Sequence, residues 1–86
     1  MANWQVYIVR CADGSLYTGV TTDVSRRLDE HNQGGRKAAR YTRSRKPVVL
    51  VYCEMSESRA NACRREWEIK QMPKADKERL IVSATE

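Results

Sequence analysis

The sequence lacks the segments that would place it in or across a membrane. No apolar run approaches the ~20 residues of a membrane-spanning helix. The start, Met1-Ala2-Asn3-Trp4, also lacks the charged-then-apolar profile of a signal peptide. We therefore predict a cytoplasmic protein that has no membrane partner.

Cysteine is scarce as well, which limits the kinds of metal site and cross-link that the chain can form. Its three cysteines, Cys11, Cys53 and Cys63, are far apart and form no CxxC pair. This spacing excludes a zinc site built from paired cysteines. Because free cysteine behaves as a small hydrophobic side chain, we expect reduced and mostly buried thiols.

Size and charge narrow the function classes further. The 86 residues, of which 41% are hydrophobic, suit one compact domain over residues 1–86. So small a core has little room for an enclosed cavity, and we expect any active site to be a shallow surface cleft. Sixteen Lys and Arg against eleven Asp and Glu give a net charge of +5, which favours nucleic acid as partner, although many small proteins are mildly basic.

A β-hairpin is predicted at the start of the chain. Two stretches rich in β-branched and aromatic side chains flank a turn at Gly14, residues 4–11 and 15–20. A three-residue loop with Gly14 in the left-handed conformation would turn Tyr7 and Tyr17 to the same face of the sheet. A two-residue turn would put them on opposite faces, and the sequence leaves both open.

The next segment predicts a helix with a mixed face. Asp23 is a good N-cap, and Leu28 and His31 recur at helical spacing before a glycine pair at 34–35. Arg27 lies on the same face, one turn before His31. A charge and an imidazole thus enter the stripe that should face the core. Either they reach past its edge, or a site needs them there.

The segment from 36 to 46, which we call the basic segment, concentrates positive charge and contains no acidic residue. Its cations can contact phosphates while Tyr41 stacks on a base, the combination used for single strands. The predicted nucleic-acid contacts in this segment are Arg36, Lys37, Arg40, Tyr41, Thr42, Arg43 and Arg45. The alternative is a solvated loop, with a short helix around Ala38-Ala39.

The second half predicts one strand and two helices. Residues 48–53 form a continuous apolar run, expected for a strand covered on both faces, so we place it at the centre of the sheet or next to it. Ser56 or Ser58 caps a helix that runs to about Gln71, and Pro73 starts a short final helix. The order strand, strand, helix, basic segment, strand, helix, helix predicts an α/β fold of the α+β type, with a three-stranded antiparallel sheet flanked by helices.

Glu66 is the most informative acidic residue. On a helical wheel it interrupts an apolar stripe formed by Ala62, Cys63 and Ile69. A carboxylate near a core edge needs a cation, a metal ion or hydrogen bonds to compensate it. The alternative is an exposed i,i+4 ion pair with Lys70.

Together these residues resemble the pattern of the GIY-YIG nucleases. The family's two tyrosine motifs, its helical arginine and histidine and its later glutamate have counterparts in the same order: Tyr7, Tyr17, Arg27, His31 and Glu66. The similarity runs from about residue 4 to 81, and the chain looks most like the small stand-alone bacterial branch. The fold expected above is the one that the resemblance implies.

Some positions depart from the family pattern. Gln5 stands where the first motif usually has glycine, and Val6 and Thr18 replace isoleucines. No Asn follows Glu66, although some members have one there. Gly19 in the second motif is retained, and the resemblance implies that it lets backbone approach closely, so we count it among the nucleic-acid contacts.

The resemblance also implies a role for each site residue. Tyr7 and Tyr17 would line the active face, with Tyr7 helping to deprotonate the attacking water. Arg27 would hold the scissile phosphate and offset its growing charge. His31 would assist one turn later, and Glu66 would bind a single Mg²⁺ or Mn²⁺ ion.

The chemistry agrees with these assignments. Hydrolysis of a phosphodiester needs an activated water, stabilisation of the transition-state charge and a stabilised leaving oxygen. A two-metal site normally needs several carboxylates, so Glu66 alone favours one ion. Tyr7 can act as a base only if Arg27 or the metal lowers its pKa from about 10, and otherwise His31 takes the proton.

The resulting expectation is a metal-dependent endonuclease. It would cut DNA with low sequence specificity, with single-stranded or branched DNA as plausible substrates, in repair, recombination or DNA uptake. The alternative is a non-catalytic module that binds nucleic acid on the same fold. Binding without cleavage would distinguish the second from the first.

Overall fold

The computed structural model describes residues 3–33, 36–37 and 39–85, and it contains one antiparallel sheet with helices on both sides. Three strands, in the spatial order β2-β1-β3, form the sheet: β1 (Trp4–Arg10), β2 (Leu16–Thr21) and β3 (Val49–Ser56). Within these residues the helices are α1 (Val24–Gln33), α2 (Arg40–Arg43), α3 (Arg59–Gln71) and α4 (Lys74–Thr85). The predicted α+β fold is confirmed. None of these helices has the length and apolar character that crossing a membrane requires.

The hairpin turn decides which side chains share a face of the sheet. Gly14 has a φ of +85°, in the left-handed region that glycine adopts without steric cost. The resulting register pairs Tyr7 with Gly19 and Val9 with Tyr17. Because side chains alternate along a strand, Tyr7 and Tyr17 point to the same face, as the three-residue loop predicted.

The sheet has a core on each face. On one face Val6 and Ile8 of β1 pack with Ile69 of α3 and residues of α4. On the other face Tyr7 and Val9 pack with residues of α1. The central strand β1 supplies both cores through its alternating side chains, and the candidate site lies on the α1 side.

The helix α1 is fixed at both ends. The Asp23 carboxylate accepts a hydrogen bond from the Arg26 backbone N–H at 3.0 Å, which confirms the predicted N-cap. In the last turn, Asn32 accepts from the Val48 N–H at 2.7 Å and donates to the Val48 carbonyl at 3.1 Å. These bonds join α1 to the residue that precedes β3. The glycines predicted to end this helix, at 34–35, lie outside the described residues.

The strand β3 lies at an edge of the sheet, next to the central strand, so residues 48–53 take the second of the two predicted positions, and the prediction that both faces of this strand are covered is wrong. β1 is the central strand, and Val49 is 60% exposed. The pairing with β1 shifts between Ile8 and Val9, where β3 carries an extra residue. This bulge sends Leu50 to one core and both Val51 and Tyr52 to the other, which accounts for the unbroken apolar run.

The cysteines follow the prediction only in part. All three are free thiols, and Cys11 is buried. Cys53 and Cys63 are exposed, because they lie on the edge strand β3 and on an outward position of α3. The expectation of mostly buried thiols is therefore wrong for two of the three.

A buried threonine in β2 provides a test of this packing. Thr18 is 2% exposed and pairs with Ile8, and its hydroxyl has no hydrogen-bond partner among the described residues. The variant Thr18→Val replaces an unpaired hydroxyl by a methyl group of similar size. We expect its free energy of unfolding in urea to rise by about 1 kcal/mol.

The matched control for this variant is Thr21→Val. The Thr21 hydroxyl accepts a hydrogen bond from the Asp23 N–H at 3.1 Å. Its removal should therefore lower the free energy of unfolding by about 1 kcal/mol. A Thr18→Val protein that is less stable than the wild type would show that the Thr18 hydroxyl has a partner.

Candidate active site

Three buried polar side chains from β1, α1 and α2 form a hydrogen-bonded row. The Tyr7 hydroxyl lies 2.9 Å from His31 Nε2, and His31 Nδ1 lies 2.8 Å from the Thr42 hydroxyl. The Thr42 hydroxyl donates in turn to the Ala39 carbonyl at 3.0 Å. Elements distant along the chain thus meet at the protein's single histidine.

The burial of this row corrects one prediction and explains another. Thr42 is 0% exposed, so the prediction that it contacts nucleic acid is wrong. Its hydroxyl points inward because the four-residue helix α2 packs against α1. His31 is also fully buried. Its imidazole lies in the apolar stripe of α1 because it forms hydrogen bonds with Tyr7 and Thr42.

Gly19 makes the position of the Tyr7 ring possible. A Cβ atom built on Gly19 would lie 2.5 Å from Tyr7 Oη and 2.7 Å from Cζ, both far inside van der Waals contact. Gly19 is itself buried. The close approach at this glycine is therefore made by the Tyr7 phenol, and the prediction that Gly19 contacts nucleic acid is wrong.

Arg27 connects α1 to the basic segment beside the same phenol. Its Nη1 group donates to Glu30 Oε1 at 3.0 Å and also to the Lys37 carbonyl. The guanidinium acts on the Tyr7 hydroxyl, where it favours the ionised form. Glu30 holds this arginine through an ion pair at i,i+3 spacing. Glu30 was not among the predicted site residues, although a carboxylate three residues after an arginine on a helix predicts such a pair.

Burial controls the protonation of Tyr7 and His31. It raises the pKa of Tyr7 to about 12, and the opposing effect of the Arg27 cation is smaller. It lowers the pKa of His31 to about 4, and the Arg27 charge acts in the same direction. Both groups are therefore uncharged near neutral pH, and Arg27 alone does not make Tyr7 a base.

Two further tyrosines extend the site from His31 to the surface. The Tyr17 ring contacts His31 edge-on at 5.5 Å between centroids and stacks on Tyr41 at 5.8 Å. Tyr41 is exposed, and the Arg45 guanidinium lies 4.1 Å from its ring centroid. The hairpin and the basic segment therefore form one continuous aromatic surface.

The basic segment is partly committed to internal bonds. Arg45 pairs with Asp13 at 3.1 Å and donates to the Tyr41 carbonyl at 2.8 Å, so it joins the segment to the hairpin turn. The cations of this segment that are exposed at the surface are Arg36, Lys37, Arg40, Arg43 and Lys46. The alternative of a short helix around Ala38-Ala39 is near the observed α2, although Ala38 lies outside the described residues.

Glu66 approaches the site from α3. Its side chain is 23% exposed and lies 3.3 Å from Lys70 Nζ, so the ion pair considered above does form. Lys70 Nζ in turn lies 5.7 Å from the Tyr17 ring centroid. The Glu66 charge is felt at Tyr7, whose pKa it raises. The carboxylate is therefore at the edge of the site.

These donors fit one kind of metal site. In the described part of the chain, no three His, Cys, Asp or Glu residues lie close enough together to hold an ion by themselves. Mg²⁺ commonly keeps several waters and takes one or two carboxylates together with substrate phosphate oxygens. Glu66 could serve as that carboxylate, with substrate and water completing the coordination.

Comparison with known proteins identifies a matching family and similar relatives of this chain. A family model described as the GIY-YIG catalytic domain matches residues 3–79. A UPF0213 protein of Desulfotalea psychrophila is 55% identical over 83 residues, which cover 96% of this chain and 74% of that protein. A UPF0213 protein of Staphylococcus haemolyticus is 53% identical over 81 residues, with 94% and 96% covered.

Two solution NMR structures are also similar. That of a UPF0213 protein from Bacillus halodurans gives a TM-score of 0.59 at 46% identity, over 93% of this chain and 83% of that one. That of a protein from E. faecalis gives a TM-score of 0.65 at 35% identity, over 99% and 88%. These names state no activity.

The space between Gly19 and Tyr7 yields a first test of the site. In Gly19→Ala the added methyl group must displace the Tyr7 ring from His31. We expect the free energy of unfolding to fall by about 1–3 kcal/mol and the NMR signals of the His31 ring to shift. The matched control is Gly14→Ala, where no atom lies within 4 Å of the added methyl but φ is +85°. It should lose about 1 kcal/mol through backbone strain and leave the His31 signals unchanged.

The depressed pKa of His31 gives a second test, in the pH dependence of stability. Between pH 6.5 and about 4 the unfolded chain binds a proton that the folded chain does not. The contribution of His31 is therefore fully present above pH 6.5 and is lost as the pH falls toward about 4. We expect the difference in free energy of unfolding between wild type and His31→Gln to shrink over that window. A constant difference would contradict the depressed pKa.

Proposed function

The chain belongs to the GIY-YIG family, and on this basis we propose that it is a divalent-metal-dependent endonuclease that hydrolyses phosphodiester bonds in DNA. The observation that carries the proposal is the meeting of Tyr7, Arg27 and His31 at one place, within reach of the Glu66 charge. The proposed reaction needs a phosphate clamp, a proton acceptor and a metal ligand.

Arg27 is suited to hold the scissile phosphate. Its bonds to Glu30 and to the Lys37 carbonyl both start from Nη1, so the remaining guanidinium donors can engage Tyr7 and a phosphate. A guanidinium matches phosphate oxygens in a bidentate geometry. Fixed beside the phosphate, it would stabilise the negative charge that grows in the transition state.

His31 is suited to receive the proton of the attacking water through Tyr7. The Tyr7 pKa of about 12 means that the phenol is protonated when substrate arrives. As the Tyr7 oxygen takes a proton from water, its own proton passes over 2.9 Å to His31 Nε2. The resulting hydroxide attacks phosphorus and the bond to the leaving oxygen breaks. The negative phosphate would raise the proton affinity of His31 at that moment.

Glu66 would hold the Mg²⁺ or Mn²⁺ ion at the site's edge. A bound divalent ion supplies Lewis-acid stabilisation of the phosphate and of the leaving oxygen. To bind the ion, Glu66 must break its ion pair with Lys70. The Lys70 side chain is exposed, so it can move away. One observation favours the alternative of a non-catalytic nucleic-acid-binding module, namely that this carboxylate already has a cationic partner.

The surface around the site supports a DNA substrate read mainly through its backbone. The exposed cations of the basic segment suit phosphates, which carry no sequence information. The Tyr17–Tyr41 pair offers rings against which unpaired bases can pack. We therefore propose low sequence specificity, with single-stranded or branched DNA as substrate, and a role in repair or recombination in the cytoplasm.

Substitution of Glu66 tests the metal assignment. We expect Glu66→Gln to lower cleavage in Mg²⁺ or Mn²⁺ by at least about 10²-fold while DNA binding measured by fluorescence anisotropy is retained. The matched control is Glu68→Gln on the same helix, whose carboxylate is exposed and pairs with Arg65. It should cleave at the wild-type rate.

Arg27→Ala should abolish cleavage, because the phosphate clamp is lost.

The assay should include labelled single-stranded, duplex and branched DNA as well as RNA, each with Mg²⁺, with Mn²⁺ and with a chelator. Full activity of Glu66→Gln would refute the metal assignment. Binding of these substrates by the wild type without cleavage in either metal would favour the non-catalytic module.

A further inference from the structure

The proton transfer from Tyr7 to His31 depends on which ring nitrogen of His31 already carries a hydrogen. A neutral imidazole has one N–H donor and one bare nitrogen that accepts. The hydrogen bond made by one nitrogen sets the state of the other. Since Tyr7 faces Nε2, His31 can accept its proton only if the hydrogen is on Nδ1.

The contacts of Thr42 decide this question. The Ala39 carbonyl can only accept, so the single hydroxyl hydrogen of Thr42 points to it over 3.0 Å. The Thr42 oxygen can then only accept from His31 Nδ1, at 2.8 Å. This places a hydrogen on Nδ1 and leaves the lone pair of Nε2 facing the Tyr7 hydroxyl.

The opposite arrangement leaves buried groups unpaired. If Thr42 donated to Nδ1, the Nε2–H group would donate to Tyr7, and the Tyr7 hydrogen would have no acceptor among the described residues. Tyr7 is only 2% exposed, and a buried hydroxyl without an acceptor costs free energy. Arg27, which acts on the same oxygen, has donors only.

We infer that Thr42 is a positioning residue: it holds His31 in the Nδ1-protonated tautomer and so presents Nε2 as the acceptor of the Tyr7 proton. The tautomer is a property of the free protein, and only its catalytic consequence rests on the proposed function. Thr42 acts from α2, the helix that also carries the exposed Arg40 and Arg43. The basic segment thus contributes to proton transfer as well as to charge.

NMR of the free protein tests the tautomer directly. Because His31 is the only histidine, long-range proton–nitrogen correlations of ¹⁵N-labelled protein near neutral pH report its two ring nitrogens without overlap. We expect a protonated Nδ1 and an unprotonated Nε2 in the wild type. Thr42→Val removes the hydroxyl at nearly constant shape, so the preference should be lost, and Thr42→Ser should restore it.

The matched control is Thr18→Val, which removes a buried threonine hydroxyl that has no bond to the imidazole. It should keep the wild-type tautomer. A wild-type protein with its hydrogen on Nε2 would overturn the inference, as would an unchanged tautomer in Thr42→Val. If Thr42→Val does not fold, the wild-type spectrum and that of Thr42→Ala lead to the same decision.

Kinetics separate this inference from the proposed nuclease function. With a cleaved substrate, Thr42→Val should lower kcat by about 10²-fold at an unchanged KM, while Thr42→Ser and Thr18→Val stay close to wild type. A wild-type kcat in Thr42→Val would overturn the positioning role and leave the nuclease proposal standing. A wild type that cleaves nothing would overturn the nuclease proposal, and the NMR result would still decide the tautomer.

Discussion

The hydrogen bond between Tyr7 and His31 is the interaction on which the rest of the site depends. It spans 2.9 Å between the central strand and α1. It requires the Gly14 turn, which sets the strand register, and the missing side chain of Gly19, which leaves room for the phenol. The same imidazole also fixes α2 through Thr42. One buried imidazole therefore links three elements of the fold through two hydrogen bonds.

Burying this pair has an electrostatic consequence that shapes the chemistry. Removal from water disfavours both tyrosinate and imidazolium, so the pKa values of Tyr7 and His31 move apart, to about 12 and about 4. A site with two such neutral groups can pass a proton along a hydrogen bond but cannot hold a charge at rest. The charges come from its rim, where Arg27 offers a cation and Glu66 a carboxylate.

Much of this arrangement could be predicted from the sequence because it depends on local rules. The turn at Gly14 and the N-cap at Asp23 are set by neighbouring residues, and both positions were predicted, although the sequence left the length of the Gly14 turn open. The inward position of Thr42 could not be predicted, since it depends on how α2 packs eleven residues away from His31. The exposed edge of β3 was also not predicted. Its bulge sends consecutive apolar residues to both cores, so the strand has the apolar composition that is typical of a covered central strand.

The most direct measurement of the central contact is the pKa of His31 in wild type and in Tyr7→Phe, followed by NMR. In this account the phenol donates to the neutral imidazole and so disfavours its protonation. The wild-type pKa should lie near 4, and the loss of the donor in Tyr7→Phe should raise it. Equal pKa values in the two proteins would show that Tyr7 does not donate to His31, and the proton path proposed for the site would fail.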